Sequence, residues 1–282
     1  MSIALRIDVA TLRGAEQGVP RLLDMLARHQ VGATFFFNLG PDRVGHMPWR
    51  WLRRRGLGVG SWLKSRLVPA RSLDSGMRQA MQAAKAAGCE VAVGGVDAPR
   101  WLYQARQQNM SWTESLLCES TGAFETLMGE VPRGRALPLQ RLNRTAVRLA
   151  QRHHFSYSSD TLGLAPYWPV IDGEPVRCPQ IPITLPNFDQ LHLPGRDAVA
   201  DILHDSQSQT LHVYAGEAEL EGMALSADFE RLLAGWKEQG HRIASLVEYV
   251  DALDLTSLPY HEVELGPVQP SAPARQGRRF PA

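Results

Sequence analysis

Short apolar runs alternate with amphipathic stretches along most of this chain. Residues 3–9 read as a buried strand closed by the turn that holds Asp8, and residues 19–29 repeat their apolar positions at helical spacing. The run ATFFF, residues 33–37, predicts a second buried strand. Strand, helix and strand at this spacing make a βαβ unit, whose right-handed crossover leads to a parallel sheet or barrel. The alternation continues with a helix over 74–87, a strand over 90–93, helices over 112–129 and 141–153, and a strand over 155–157. Further on come a strand over 211–215, a helix over 226–239, a strand over 242–244 and a helix over 246–253. This repetition predicts an α/β fold with a closed or nearly closed barrel, and no internal repeat of fixed period accompanies it.

Two stretches depart from the pattern. Residues 43–71 hold eight Lys or Arg, with Trp49, Trp51 and Trp62 and no acidic residue. Trp favours the water–lipid boundary and basic side chains are drawn to anionic headgroups, so this stretch is expected to be an insertion at a membrane surface. Its other reading is a solvated helical face whose tryptophans pack on the barrel. Residues 259–282 end in GPVQPSAPARQGRRFPA, rich in Pro and Arg with little to bury, and are expected to be disordered. Residues 1–258 are then one barrel domain, as a chain of 282 residues with 44% hydrophobic content allows.

The net charge of +1 gives no reason to expect a nucleic-acid partner. Cys89, Cys118 and Cys178 are odd in number and widely spaced, which argues against a disulfide framework or a structural zinc and points to a reducing cytoplasm. Arg6 and Asp8 interrupt the first apolar run, so the N-terminus reads as neither a secretory signal nor a membrane anchor.

Five blocks, in order along the chain, carry a resemblance: LRIDVATLRGAEQGVPRLLDMLARH, ATFFFNLGPDRVG, SYSSDTLG, QIPITLPNFDQ and GEAELEG. They resemble the bacterial deformylases of undecaprenyl-phosphate 4-deoxy-4-formamido-L-arabinose, within the polysaccharide deacetylase family. The resemblance spans the chain to about residue 253 and implies a distorted (β/α) barrel with its site at the C-terminal ends of the strands. It also implies hydrolysis of an amide on an amino sugar, with a divalent metal such as zinc polarising the carbonyl and activating water.

The family's motifs map onto this chain residue by residue. Asp8 matches the catalytic base, but Ala10 stands where a metal-binding Asp is expected. The two positions of the family's His-x-x-x-His pair are Gly94 and Ala98, with Asp97 between them. Leu139 or Gln140 falls at the family's Arg, with Arg141 close by, and Glu217 falls at its late catalytic His. Ala10, Gly94 and Ala98 have no side-chain donor, so no metal and no other cofactor is expected, and the inherited mechanism has lost its ion.

Several residues remain open to two readings. Asp8 is either a retained base or a strand-end carboxylate satisfied by backbone donors or by Arg6 or Arg13. Asp160 is either a ligand contact or a turn cap. Glu217, Glu219 and Glu221 would share one face of an extended segment and could join Asp8 and Asp97 in an acidic floor. With Asp97, Asp160 and Gln180 taken as sugar contacts, the expectation is a silent family member related to lipid A aminoarabinose modification. It would bind an undecaprenyl-phosphate-linked amino sugar at the cytoplasmic face of the inner membrane, or assist an active homologous deformylase. The alternative is an active carbon–nitrogen hydrolase with a site rebuilt from carboxylates around Asp8, Asp97, Asp160 and Glu217.

Overall fold

The computed structural model describes residues 1–40, 74–95, 97–105, 109–191, 195–208, 211–266 and 273–280. The basic, tryptophan-bearing stretch 43–71 lies outside the described residues. Among the described residues, no helix is long and apolar enough to cross a membrane.

A curled parallel sheet forms the frame. Its strands are β1 (Ser2–Val9), β2 (Thr34–Asn38), β3 (Glu90–Gly95), β4 (Gly134–Arg135) and β5 (Tyr157–Ser158), then β8 (Leu211–Glu217) and β9 (Arg242–Ala244) after a small hairpin, in the order β5-β4-β3-β2-β1-β8 with β9 on β1. β1 lies at the centre. One edge of it pairs with β8 from Ser2 to Asp8, and the other pairs with β9 over Ser2–Ala4 and with β2 over Arg6–Val9. Helices pack outside, among them Val19–His29, Asp74–Ala86, Met110–Met128, Arg144–Arg152 and Ser226–Glu238. Each lies within two or three residues of the boundaries that periodicity predicts, because each presents an apolar stripe to the sheet.

The barrel closes irregularly. Between β5 and β8 no regular strand intervenes among the described residues, and residues 180–187 cross the gap in an extended path. Ile181 N–H donates to the Ser158 carbonyl, Thr184 N–H to the Val213 carbonyl, and Asn187 Nδ2 to the Ala215 carbonyl. The result is a distorted (β/α) barrel, as the sequence predicts.

A second sheet differs from expectation. β6 (Trp168–Ile171) and β7 (Glu174–Pro175) form a hairpin, and β10 (Tyr260–Glu264) and β11 (Arg275–Arg279) join it in the order β11-β10-β6-β7. The 259–282 stretch therefore contains two paired strands where disorder is expected. Its few apolar residues are well used: Val263 and Ala274 are buried, and the backbone of 274–276 is tied to Gln140 and Leu162.

The lower end of the barrel carries two buried imidazoles. His212 Nε2 and both ring nitrogens of His241 are buried without a hydrogen-bond partner. Burial, together with His241 beside His212 and the N-terminal ammonium beside His241, holds both below the ordinary 6.5. The unfolded chain then takes up protons first as the pH drops, so stability present above pH 6.5 is lost below it. Thermal melts should therefore fall as pH moves from about 7.5 to about 5, and the His212→Asn/His241→Asn double variant should show a shallower fall. An equal slope in both proteins would rule out these two groups as its source.

Candidate functional site

Side chains alternate along a strand, so every second residue faces the barrel axis. β1 turns Ala4, Arg6 and Asp8 inward while Ile3, Leu5 and Ile7 pack under the helices. By the same alternation β2 presents Phe36 and Asn38, β3 presents Ala92 and Gly94, and β8 presents Val213, Ala215 and Glu217. The last inward residue of each strand reaches the C-terminal mouth. There Asp8, Asn38, Gly94 and Glu217 line one cleft with Ala10 and Ala98. The remaining wall is apolar, from Val9, Phe36, Ala136 and residues 137–139. Outward, the cleft continues past Gln140, Arg141, Leu162, Asn187 and Asp189. Leu139 and Gln140 hold left-handed backbone, φ 57° and 51°, which non-glycine residues adopt only when their surroundings impose it. The Gln140 carbonyl accepts from Ala274 N–H, so the C-terminal arm helps fix this wall.

Asp8 is engaged from below. Arg6 Nε donates to Asp8 Oδ1 and Nη2 to Oδ2, both at 2.8 Å, a bidentate pair. Arg6 Nη1 donates to the Ser159 carbonyl and to Ser159 Oγ, and the guanidinium carbon lies 5.1 Å from the Phe36 ring centroid. Arg6 is 1% exposed and Asp8 26%. Small interior residues, Ala4, Ala92, Ala136 and Ala215, leave the room that a guanidinium needs. Glu217 sits beside Asp8 on the neighbouring strand, one interstrand step of about 4.8 Å away. Its backbone N–H donates to Glu221 Oε2 at 2.7 Å, which anchors the end of β8.

A protein from Shewanella sediminis assigned as the 4-deoxy-4-formamido-L-arabinose-phosphoundecaprenol deformylase ArnD is 29% identical over 271 residues, 90% of this chain and 87% of that one. Among solved structures, a Mycobacterium smegmatis protein provisionally assigned to the polysaccharide deacetylases superposes with a TM-score of 0.63 at 15% identity, over 91% of each chain. The fold is that of the polysaccharide deacetylases. A CE4 family pseudoenzyme from Bacillus anthracis shares the fold, with a TM-score of 0.52 at 17% identity over 93% of this chain and 69% of that one. No protein-family model matches the chain.

The polysaccharide deacetylase resemblance implies a divalent ion, and the described residues do not fit one. Ala10, Gly94 and Ala98 all face the cleft and none carries a donor atom. Both Asp8 oxygens accept from Arg6. Among the described residues, no group of three His, Cys, Asp or Glu side chains could hold a metal ion, whereas zinc needs three or four protein donors. The backbone has also closed in at one position: a Cβ on Gly94 would stand 3.1 Å from the carbonyl oxygens of both Phe36 and Phe37. A side chain there would require β2 to give way.

Three of the expected sugar contacts serve the fold. Asp97 is buried and caps the helix Ala98–Gln104, accepting from Arg100 N–H. Asp160 is fully buried, pairs with Arg135 at 2.5 Å and accepts from Leu137 N–H at 2.6 Å. Gln180 Oε1 accepts from Asp160 N–H, so this residue pins the barrel's closing segment. The acidic floor does not form either. β8 ends at Glu217, and the chain then turns through a π-helical stretch, Leu220–Ala224, which buries Glu221 against the Tyr214 hydroxyl, while Glu219 just before it is buried against the Thr11 hydroxyl. Asn38 was missed by sequence reasoning, because the apolar run ATFFF hides its place two residues beyond inward-facing Phe36.

Removing Arg6 should expose how much the frame leans on the pair. Arg6→Leu is expected to lose about 3 kcal/mol in urea unfolding, the lower end of the range for a broken buried pair because Asp8 keeps access to water. Gly94→Ala is expected to lose about 1–3 kcal/mol through overpacking against β2. Arg6→Leu unfolding within about 0.5 kcal/mol of wild type would show that the pair is not structural.

Proposed function

We propose that this chain is a catalytically silent polysaccharide deacetylase relative that binds an undecaprenyl-phosphate-linked amino sugar without hydrolysing it. One observation carries the reading: Ala10, Gly94, Ala98 and Glu217, the four positions where the family's ligands and late His would stand, converge on a single well-formed cleft. The scaffold that aims side chains at this point is kept, and the donor set is not. The class of ligand comes from the relative: the Shewanella protein is assigned a lipid-linked formamido-arabinose substrate, and similarity covers 90% of this chain. In this reading the protein works at the cytoplasmic face of the inner membrane, where the basic, tryptophan-bearing sequence 43–71 meets anionic lipid. There it holds a sugar intermediate of lipid A modification or hands it to an active homologue.

A second reading rests on the register that sets Asp8 beside Glu217. A carboxylate pair at the cleft floor could divide acid and base roles in a metal-free amide hydrolysis. Arg6 weighs against it, since a base whose two oxygens are both held by a guanidinium is weakened.

The two readings separate with a farnesyl-phosphate-linked 4-formamido pentose as probe. The silent binder shows saturable binding and no formate release, with or without added zinc. Formate release abolished by chelator contradicts it. Release that survives chelator and disappears in Asp8→Asn establishes the carboxylate-pair hydrolase instead.

A further inference from the structure

One wall of the cleft is a tight turn, residues 137–141, and its Leu139 lines both the inner and the outer part. Leu139 and Gln140 at the apex hold left-handed backbone, a conformation that costs free energy in any residue with a Cβ and lasts only where the surroundings impose it. The ends of the turn are tied to the barrel: Leu137 N–H donates to Asp160 Oδ1 at 2.6 Å, and Trp101 Nε1 donates to the Arg141 carbonyl at 2.9 Å. The apex is tied elsewhere. The Gln140 carbonyl accepts from Ala274 N–H at 2.9 Å, on the arm 273–280, which also brings Pro273 to the outer cleft.

A small set of bonds seats this arm. Ala274 is fully buried and its carbonyl accepts from Leu162 N–H, while Gln276 donates its N–H to the Leu162 carbonyl and accepts from Leu164 N–H at its Oε1. The strand itself is polar, with Arg275, Arg278 and Arg279 exposed and its ladder to β10 interrupted by a register shift. Segments that bury little apolar surface open locally, well below the free energy of global unfolding. The arm can therefore leave the barrel while the parallel sheet stays folded, and the restraint on Gln140 leaves with it.

We propose that the arm 273–280 is a strap that sets the ligand affinity of the cleft. Docked, it holds Leu139 and Gln140 left-handed and keeps the wall in the shape that a ligand meets. Released, it lets the turn relax toward right-handed backbone, and the site loses that wall. The assignment deepens the ligand reading above and rests on it. A wall ordered in advance spares the ligand the cost of ordering it, which gives the stored strain a use.

The test titrates the farnesyl-phosphate-linked 4-formamido pentose into the full chain carrying Ala274→Pro, which deletes the N–H that reaches Gln140. Affinity should fall about fivefold, the size of one lost hydrogen bond, while the far-UV circular dichroism stays that of wild type. Amide exchange over 137–142 should quicken. Glycine takes left-handed backbone without cost, so in a Gln140→Gly background the same proline should weaken binding by less than about twofold. Should the proline disturb folding, Gln276→Ala, which loosens the arm's seat at Leu164, is read in the same way. A folded Ala274→Pro that binds like wild type overturns the strap, as does unchanged exchange at the turn or an equal loss in both backgrounds, and each of these leaves the ligand reading standing. Wild type that binds no probe removes the ligand reading, and the control of affinity falls with it.

Discussion

A guanidinium held inside a parallel barrel is the constraint around which this structure is arranged. Taking a charged group out of water costs several kcal/mol, and Arg6 is almost wholly buried on the central strand. The cost is offset by a bidentate pair with Asp8, by Ser159 and by the face of Phe36. These partners come from β1, β2 and the segment after β5, so one side chain ties together strands from distant parts of the chain. The interior alanines are the matching half of the arrangement, since larger residues would fill the space it occupies. The same pair fixes the chemistry at the mouth. Asp8, which the resemblance implies as a catalytic base, is held as an ion-pair partner.

Much of this was legible in the amino-acid sequence, and the reason is periodicity. The helix Val19–His29 and the strand Arg242–Ala244 match their expected boundaries residue for residue, because a helical apolar stripe and a short buried run are local signals. The convergence of Ala10, Gly94, Ala98 and Glu217 was also readable, through motif positions and the rule that barrel sites gather at strand C-termini. What stayed hidden depends on long-range partners. Residues 180–187 close the barrel with no period of their own, held by bonds to Ser158, Val213 and Ala215. β10 and β11 are polar and Pro-flanked, and only their pairing with each other and with β6 makes them strands. Asp97, Asp160 and Gln180 carry ligand-competent chemistry, yet the cap at Ala98, Arg135 and the closing segment claim them. In the sequence Arg6 is one of several possible partners for Asp8, beside Arg13 and backbone donors, and only the fold places it under the carboxylate.

Three separate features make the described cleft a poor fit for a metal ion. Ligand positions carry methyl groups or hydrogen, the β2 carbonyls crowd Gly94, and Arg6 occupies both oxygens of Asp8. Each has its own physical cause, so restoring one would not restore the others. The cleft meanwhile keeps defined walls, including the two left-handed residues Leu139 and Gln140 that the C-terminal arm holds in place. A surface shaped at this expense, with acceptors at its floor, is suited to holding a ligand.

Zinc-edge anomalous diffraction from crystals soaked in excess zinc tests the central claim most directly. The account predicts no anomalous peak within bonding distance of Asp8, about 2.0–2.2 Å, with the Arg6 pair unchanged. A fully occupied peak joining Asp8 to Glu217, with Arg6 swung away, would contradict it.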